Sequence, residues 1–234
     1  MKLRIFQKGF NFRQDGPGNR LVYHLQGCNL HCPWCSNPEG MSTDGGTEVE
    51  VGTLVDECLR SRKLFIGGGV TFTGGEATNQ SAALLSVLKE LHRQGIHTAL
   101  ETNGTSPRLA AIADEVDWLA LDFKHVDAKR FEGTCGVGFE MLERNYRELA
   151  VCRNQLQVRV PLVNGFNADD AASFAAYFRA LPHDNVCFEF LRYHEYGKSK
   201  WMTPYAVTNG FVSNGQYREF VDCFKDSEMK VVTT

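Results

Sequence analysis

Leu21-Val22-Tyr23-His24-Leu25-Gln26-Gly27-Cys28-Asn29-Leu30-His31-Cys32-Pro33-Trp34-Cys35 is a β-rich run that opens directly into three closely spaced thiols. The apolar and β-branched residues over 21–25 predict a strand, and Gly27 and Pro33 predict that the chain leaves it in a loop. Outward from this stretch the same unit recurs. Strand-like runs at 70–73, 98–101, 118–122, 157–160 and 186–190 alternate with helical patterns over 54–64, 82–93, 107–113, 138–152 and 171–181. In the helical patterns apolar residues return at three- and four-residue spacing. Asn79 and Gly95 supply start and stop signals around the second helix. Alternating strands and helices predict a parallel sheet covered by helices, and six units fall short of a closed eight-stranded barrel. The expected fold is therefore α/β, an open or partial barrel. In such folds the chemistry gathers at the carboxyl ends of the strands. Gln26 to Cys35, Gly74-Gly75-Glu76, Glu101-Thr102-Asn103-Gly104, Asp122-Phe123-Lys124 and Tyr193-His194-Glu195 all fall there.

With 234 residues and no Pro/Gly/Ser linker or repeat, the chain is expected to form a single domain over 1–234, large enough to remove roughly 70% of its unfolded surface from water. A net charge of −3, from 25 Lys+Arg against 28 Asp+Glu, argues against a polybasic nucleic-acid binder. No apolar run approaches the ~18 residues of a membrane span, and the opening residues lack a signal-peptide core, so no membrane partner and a cytoplasmic chain are expected.

Eight cysteines in such a chain point to metal or redox chemistry rather than disulfides. Cys28, Cys32 and Cys35 form a CxxxCxxC triplet. Structural zinc takes four ligands, and most iron–sulfur clusters are held by four cysteines. A four-iron cluster on three thiolates keeps one iron open for a substrate or cofactor. Two other readings stay open: zinc held by the triplet with His24 or His31, and three unrelated core cysteines. The remaining thiols, Cys58, Cys135, Cys152, Cys187 and Cys223, are scattered singly and read as small core residues.

The triplet spacing resembles that of the radical S-adenosylmethionine (SAM) superfamily. Its flanks, Asp15-Gly16-Pro17-Gly18-Asn19-Arg20 and Ser36-Asn37-Pro38-Glu39, are similar to the opening of the glycyl-radical-enzyme activating enzymes, nearest to the branch that acts on pyruvate formate-lyase. The blocks Gly67 to Ala77, Glu101 to Gly104, Leu121 to Lys124 and Tyr193 to Trp201 resemble later blocks of that group in the same order. The resemblance implies a partial (β/α)6 barrel of the radical SAM type carrying a [4Fe-4S] cluster on Cys28, Cys32 and Cys35. It implies reductive cleavage of SAM to a 5′-deoxyadenosyl radical, which takes a hydrogen from a backbone glycine of a partner glycyl-radical enzyme. Flavodoxin or a similar low-potential reductant is the implied electron donor.

Site residues carried by the same resemblance are Trp34 and Ser36 against SAM, Gly74 and Gly75 where the backbone approaches it, and Glu76 at the methionine ammonium. Asp122 and Lys124, two apart on one face of a strand, are implied at the SAM pocket together with Phe123. Arg159 is implied at the SAM carboxylate and His194 near the adenosine. Glu101 stands where these relatives carry Asp beside a monovalent cation, and it is one methylene longer. Residues 36–66 hold only Cys58, so the ferredoxin-like insert of many other activators is absent. The rival within the superfamily acts on a small molecule or peptide, such as the 7-carboxy-7-deazaguanine synthases. Those share Gly-Cys-Asn-Leu but are expected to follow the third Cys with Asp-Thr, where this chain has Ser36-Asn37. Neither GxGxxG, a P-loop nor GxSxG is present.

Overall fold

The computed structural model of the protein describes residues 1–153 and 155–232. They divide into two compact units. The first comprises Met1–Asn29, Asn37–Thr102 and Ser106–Ala120, and the second Leu30–Ser36, Asn103–Thr105 and Leu121–Thr234.

In the first unit, β1 (Lys2–Phe12), β2 (Asn19–Leu25), β3 (Thr47–Glu50), β4 (Gly69–Gly74) and β5 (Thr98–Thr102) lie in the order β3-β1-β2-β4-β5. The β2–β4 and β4–β5 pairs are parallel, and β1 pairs antiparallel with β2 and β3. Its helices are α1 (Val51–Ser61), α2 (Ser81–Arg93) and α3 (Leu109–Ala113). The apolar stripe of α2, Leu84, Val87, Leu88 and Leu91, is wholly buried, as expected of a helix laid over a sheet whose own residues are apolar on both faces. Gly95 does end α2, its N–H donating to His92 O at 2.9 Å. Asn79 is not its cap. It lies inside a 3-10 turn, Ala77–Gln80, capped by the Glu76 side chain.

Strand β6 (Trp118–Asp122) runs across the division. The second unit continues through α4 (Ala128–Cys135), α5 (Glu140–Cys152), β7 (Leu156–Leu162), α6 (Ala171–Arg179), β8 (Val186–Arg192), α7 (Asn214–Lys225) and β9 (Lys230–Val232). The order β7-β8-β9 is parallel throughout. Its core is aromatic: Phe178 meets Phe188 at 4.8 Å between ring centroids, and Phe224 lies 4.8 Å from Phe188 and 4.9 Å from Phe190. Such tilted pairs add about 0.5–1.5 kcal/mol each beyond the area they bury.

All six predicted strands and five predicted helices form, with ends moved by up to three residues. Unforeseen were β1, β3, β9, α4 and α7. Of the scattered cysteines, Cys58 and Cys135 are core residues, whereas Cys187 and Cys223 are half-buried and Cys152 is exposed, on the solvent side of an amphipathic helix. No described helix is long and apolar enough to cross a membrane.

Candidate active site

In the first unit, the loop leaving β2 is held by main chain. Gly27 N–H donates to Gly40 O at 2.9 Å and Cys28 N–H to Met41 O at 3.0 Å. Two amides fasten it further: Gln26 Nε2 donates to Glu39 O (2.8 Å) and Ser42 O (2.7 Å), and Gln80 Nε2 donates to Arg4 O (2.8 Å) and Gln26 O (2.9 Å). The glycine pair at the end of β4, Gly74 and Gly75, meets this loop directly. Gly75 N–H donates to Leu25 O at 2.9 Å and Glu76 N–H to Gly27 O at 2.7 Å. A Cβ on Gly74, whose φ is +130°, would come within 2.2 Å of Leu25 N, and one on Gly75 within 2.3 Å of Gly40 O. Only glycine allows that approach, so the pair is required by the packing of backbone on backbone. Gly75→Ala is expected to destabilise the protein by about 1–3 kcal/mol, the usual cost of overpacking, because main chain must shift. Urea denaturation measures it, and an unchanged midpoint would show the loops do not meet as described.

Glu76 is buried. Its Oε1 accepts from Thr78 N (3.0 Å), Thr78 Oγ1 (2.6 Å) and Thr102 Oγ1 (2.8 Å), which fixes the carboxylate's direction. Glu101, half-buried on β5, adds negative charge near Arg20. That arginine is fully buried, donating to Thr71 Oγ1 (2.6 Å), Val70 O (2.7 Å) and Pro17 O (3.0 Å). Burial pushes it down to about 10, with Asp117, Glu101 and Asp15 working in the other direction.

In the second unit, Cys32 is buried and Cys35 half-buried, and Cys35 N–H donates to Cys32 O at 3.1 Å. Trp34 packs on Phe166 at 4.6 Å between centroids, in an apolar cluster with Val163, Tyr193, Tyr205 and Val207. Trp201 Nε1 donates to Cys35 O at 3.1 Å. A Cβ on Gly197 would fall 2.5 Å from Ser36 Cα, so this later loop presses on the residue after the third thiol. His194 is stacked on Tyr196 at 4.2 Å and accepts from Tyr196 N at 3.4 Å. Burial lowers its pKa and favours the neutral ring.

Asp122 and Lys124 share a face as expected. Lys124 Nζ lies 3.0 Å from Asp122 Oδ2, with the lysine side chain nearly buried. Burial works against its ammonium, yet Asp122, Cys32 and Cys135 outweigh it and hold it charged well above the usual lysine range. Asn167, wholly buried, carries the Lys124 backbone: its Nδ2 donates to Lys124 O (2.9 Å) and Pro161 O (2.8 Å). Between the two charged residues, the Phe123 side chain points into the core against Phe178 (4.9 Å), Phe139 and Tyr146. Arg159 Nε donates to Glu189 Oε2 at 2.8 Å, both side chains about nine-tenths buried.

Sequence reasoning did not single out Gln26, Gln80, Asn167, Trp201 or Glu189. Each has a partner between 13 and 166 residues away, Asn167 through Lys124 at 43, and only an aligned register could have joined them. The exception is Cys135, whose Sγ lies 3.7 Å from Cys32 Sγ. Among the described residues no three His, Cys, Asp or Glu side chains stand as a ready-made metal group. The donor set still has the chemistry of an iron–sulfur site: three thiols in one short loop, none of them in a disulfide.

A family model described as the radical SAM superfamily matches residues 22–177. The pyruvate formate-lyase 1-activating enzyme of Escherichia coli K12 is 33% identical over 195 residues, 80% of this chain and 79% of that one. A crystal structure of a domain of the pyruvate-formate lyase-activating enzyme from Bacteroides vulgatus superposes with a TM-score of 0.58 at 27% identity, covering 71% of this chain and 98% of that one. A radical SAM methyltransferase from Sphaerobacter thermophilus, 15% identical, shares the fold with a TM-score of 0.71 over 96% of this chain and 68% of its own.

Proposed function

Because the chain belongs to the radical SAM superfamily, in the family of the pyruvate formate-lyase-activating enzymes, we propose that it installs the radical on a backbone glycine of a pyruvate formate-lyase-like partner. Its fold is α/β of the radical SAM type, and it is an activase that uses a [4Fe-4S] cluster and SAM. Bound together, cluster and SAM supply a low-potential electron and a 5′-deoxyadenosyl radical able to remove a glycine Cα hydrogen. The rest is positioning and exclusion of water by the chain itself.

We assign Cys28, Cys32 and Cys35 as the cluster thiolates, with Trp34 and Ser36 beside them against SAM. Glu76, its direction set by three donors, suits the methionine ammonium. Lys124 and Arg159 suit the carboxylate: each is nearly buried and held by an acidic neighbour, Asp122 and Glu189 respectively, so neither needs reordering when an anion arrives. His194 lies with the adenosine as a neutral ring, Gly74 and Gly75 line the approach, and Glu101 holds a monovalent cation. Phe123 anchors the strand end that presents Asp122 and Lys124. Flavodoxin or a similar low-potential reductant donates the electron, the chain acts as one radical SAM domain over 1–234, and it works in the cytoplasm without membrane or nucleic acid.

The observation that carries this reading is the CxxxCxxC triplet, none of it in a disulfide, in the loop after the first parallel strand of a chain similar over four fifths of its length to an activating enzyme. The test mixes reconstituted protein, SAM, a low-potential reductant and pyruvate formate-lyase under anaerobic conditions. A glycine-centred doublet in electron paramagnetic resonance is expected. 5′-Deoxyadenosine without the doublet would turn the assignment toward a small-molecule substrate.

A further inference from the structure

Cys135 closes α4, and its carbonyl accepts the His31 N–H at 2.9 Å, which ties the end of the helix to the residue next to Cys32. Gly136 then turns the chain in the left-handed region, its N–H donating to Glu132 O at 2.9 Å. The two sulfurs stand 3.7 Å apart, a hydrogen-bond contact for sulfur, and both are buried, at 6% and 0% exposure. Water does not compete for such a contact, and low local dielectric strengthens it. Lys124 adds positive charge to the same pair.

Without metal, the Cys32 thiol donates and Cys135 accepts. Iron ligation requires Cys32 as a thiolate, which has no proton to give. The bond must then reverse, with the Cys135 S–H as donor. Ligation by Cys135 itself would close the iron that SAM needs, so the thiol is suited to the cluster's outer shell.

We propose that Cys135 is a positioning residue whose S–H donates a hydrogen bond to the iron-bound Cys32 sulfur and raises the reduction potential of the cluster. A donor to a cluster sulfur draws off negative charge and favours the reduced, more anionic state. The proposal rests on the activase reading and adds a residue that the triplet does not include.

The test is a redox titration, monitored by electron paramagnetic resonance, of anaerobically reconstituted wild type, Cys135→Ala and Cys135→Ser. Iron and sulfide are measured on each. All three are expected to hold the same cluster content. The alanine variant should titrate at a more negative midpoint than wild type, and the serine variant, which keeps a donor, should lie nearer wild type. Equal midpoints for alanine and wild type would overturn the proposal. So would a serine midpoint coinciding with a shifted alanine one, since packing alone would then be responsible. Loss of the cluster in Cys135→Ala would overturn it in favour of a ligand role. A wild type that binds no four-iron cluster would instead remove the activase reading on which the proposal stands.

Discussion

Cys32→Ala is expected to leave anaerobic reconstitution without four-iron absorbance and to form 5′-deoxyadenosine only at the rate of a protein-free control. Three thiolates are the smallest set that holds the cluster while keeping one iron open, and the loop offers no spare donor of that kind. Cys32 is also the deepest of the three. Its replacement leaves the triplet with only Cys28 and Cys35. Cys135 stands 3.7 Å away, so Cys32→Ala/Cys135→Ala is measured beside it. Full cleavage persisting in both variants would refute the ligand assignment.

The second large effect belongs to Arg159 and Glu189, directly opposite each other on the parallel β7 and β8. Removing one member of a buried ion pair takes the counter-charge from the other in low dielectric and costs about 3–5 kcal/mol. Glu189→Leu is therefore expected to lower the melting temperature by at least about 6 °C, at roughly 2–4 °C per kcal/mol for a chain of this size. Replacing both, as Arg159→Met/Glu189→Leu, should restore most of that stability, because an apolar pair of similar volume is often neutral or better. SAM affinity separates structure from function. The double variant is expected to fold and bind SAM poorly, read by equilibrium dialysis. Wild-type affinity in the double variant would reduce Arg159 to a salt bridge.

What could be read from the sequence was local. The parallel strands announce themselves as short apolar runs, and the CxxxCxxC triplet is a spacing within eight residues. The missed helices carried local signals too. Ser213 and Gln216 form a reciprocal capping box at the start of α7, and Asp127 caps α4, both of which are motifs at fixed offsets. The antiparallel strands β1 and β3 were hidden because a partly exposed strand of that kind lacks the continuous apolar run of a parallel one. Register was the true limit. The contact of Arg159 with Glu189 spans 30 residues, that of Asn167 with Lys124 spans 43, and that of Cys32 with Cys135 spans 103. Each depends on strands and helices already laid side by side. Gly74 and Gly75 are legible as points of close backbone approach, but that the loop after β2 is what they meet is not.

The main-chain brace at Cys35 carries a temporal consequence. The Cys35 carbonyl accepts from Trp201, 166 residues later, so a ribosome working at ~5–20 residues per second leaves the loop without this contact for roughly 8–33 s. During translation the nascent loop is a set of bare, oxidisable sulfurs. Whatever delivers iron and sulfide meets the braced form of this loop only after residue 201 has been made and folded back.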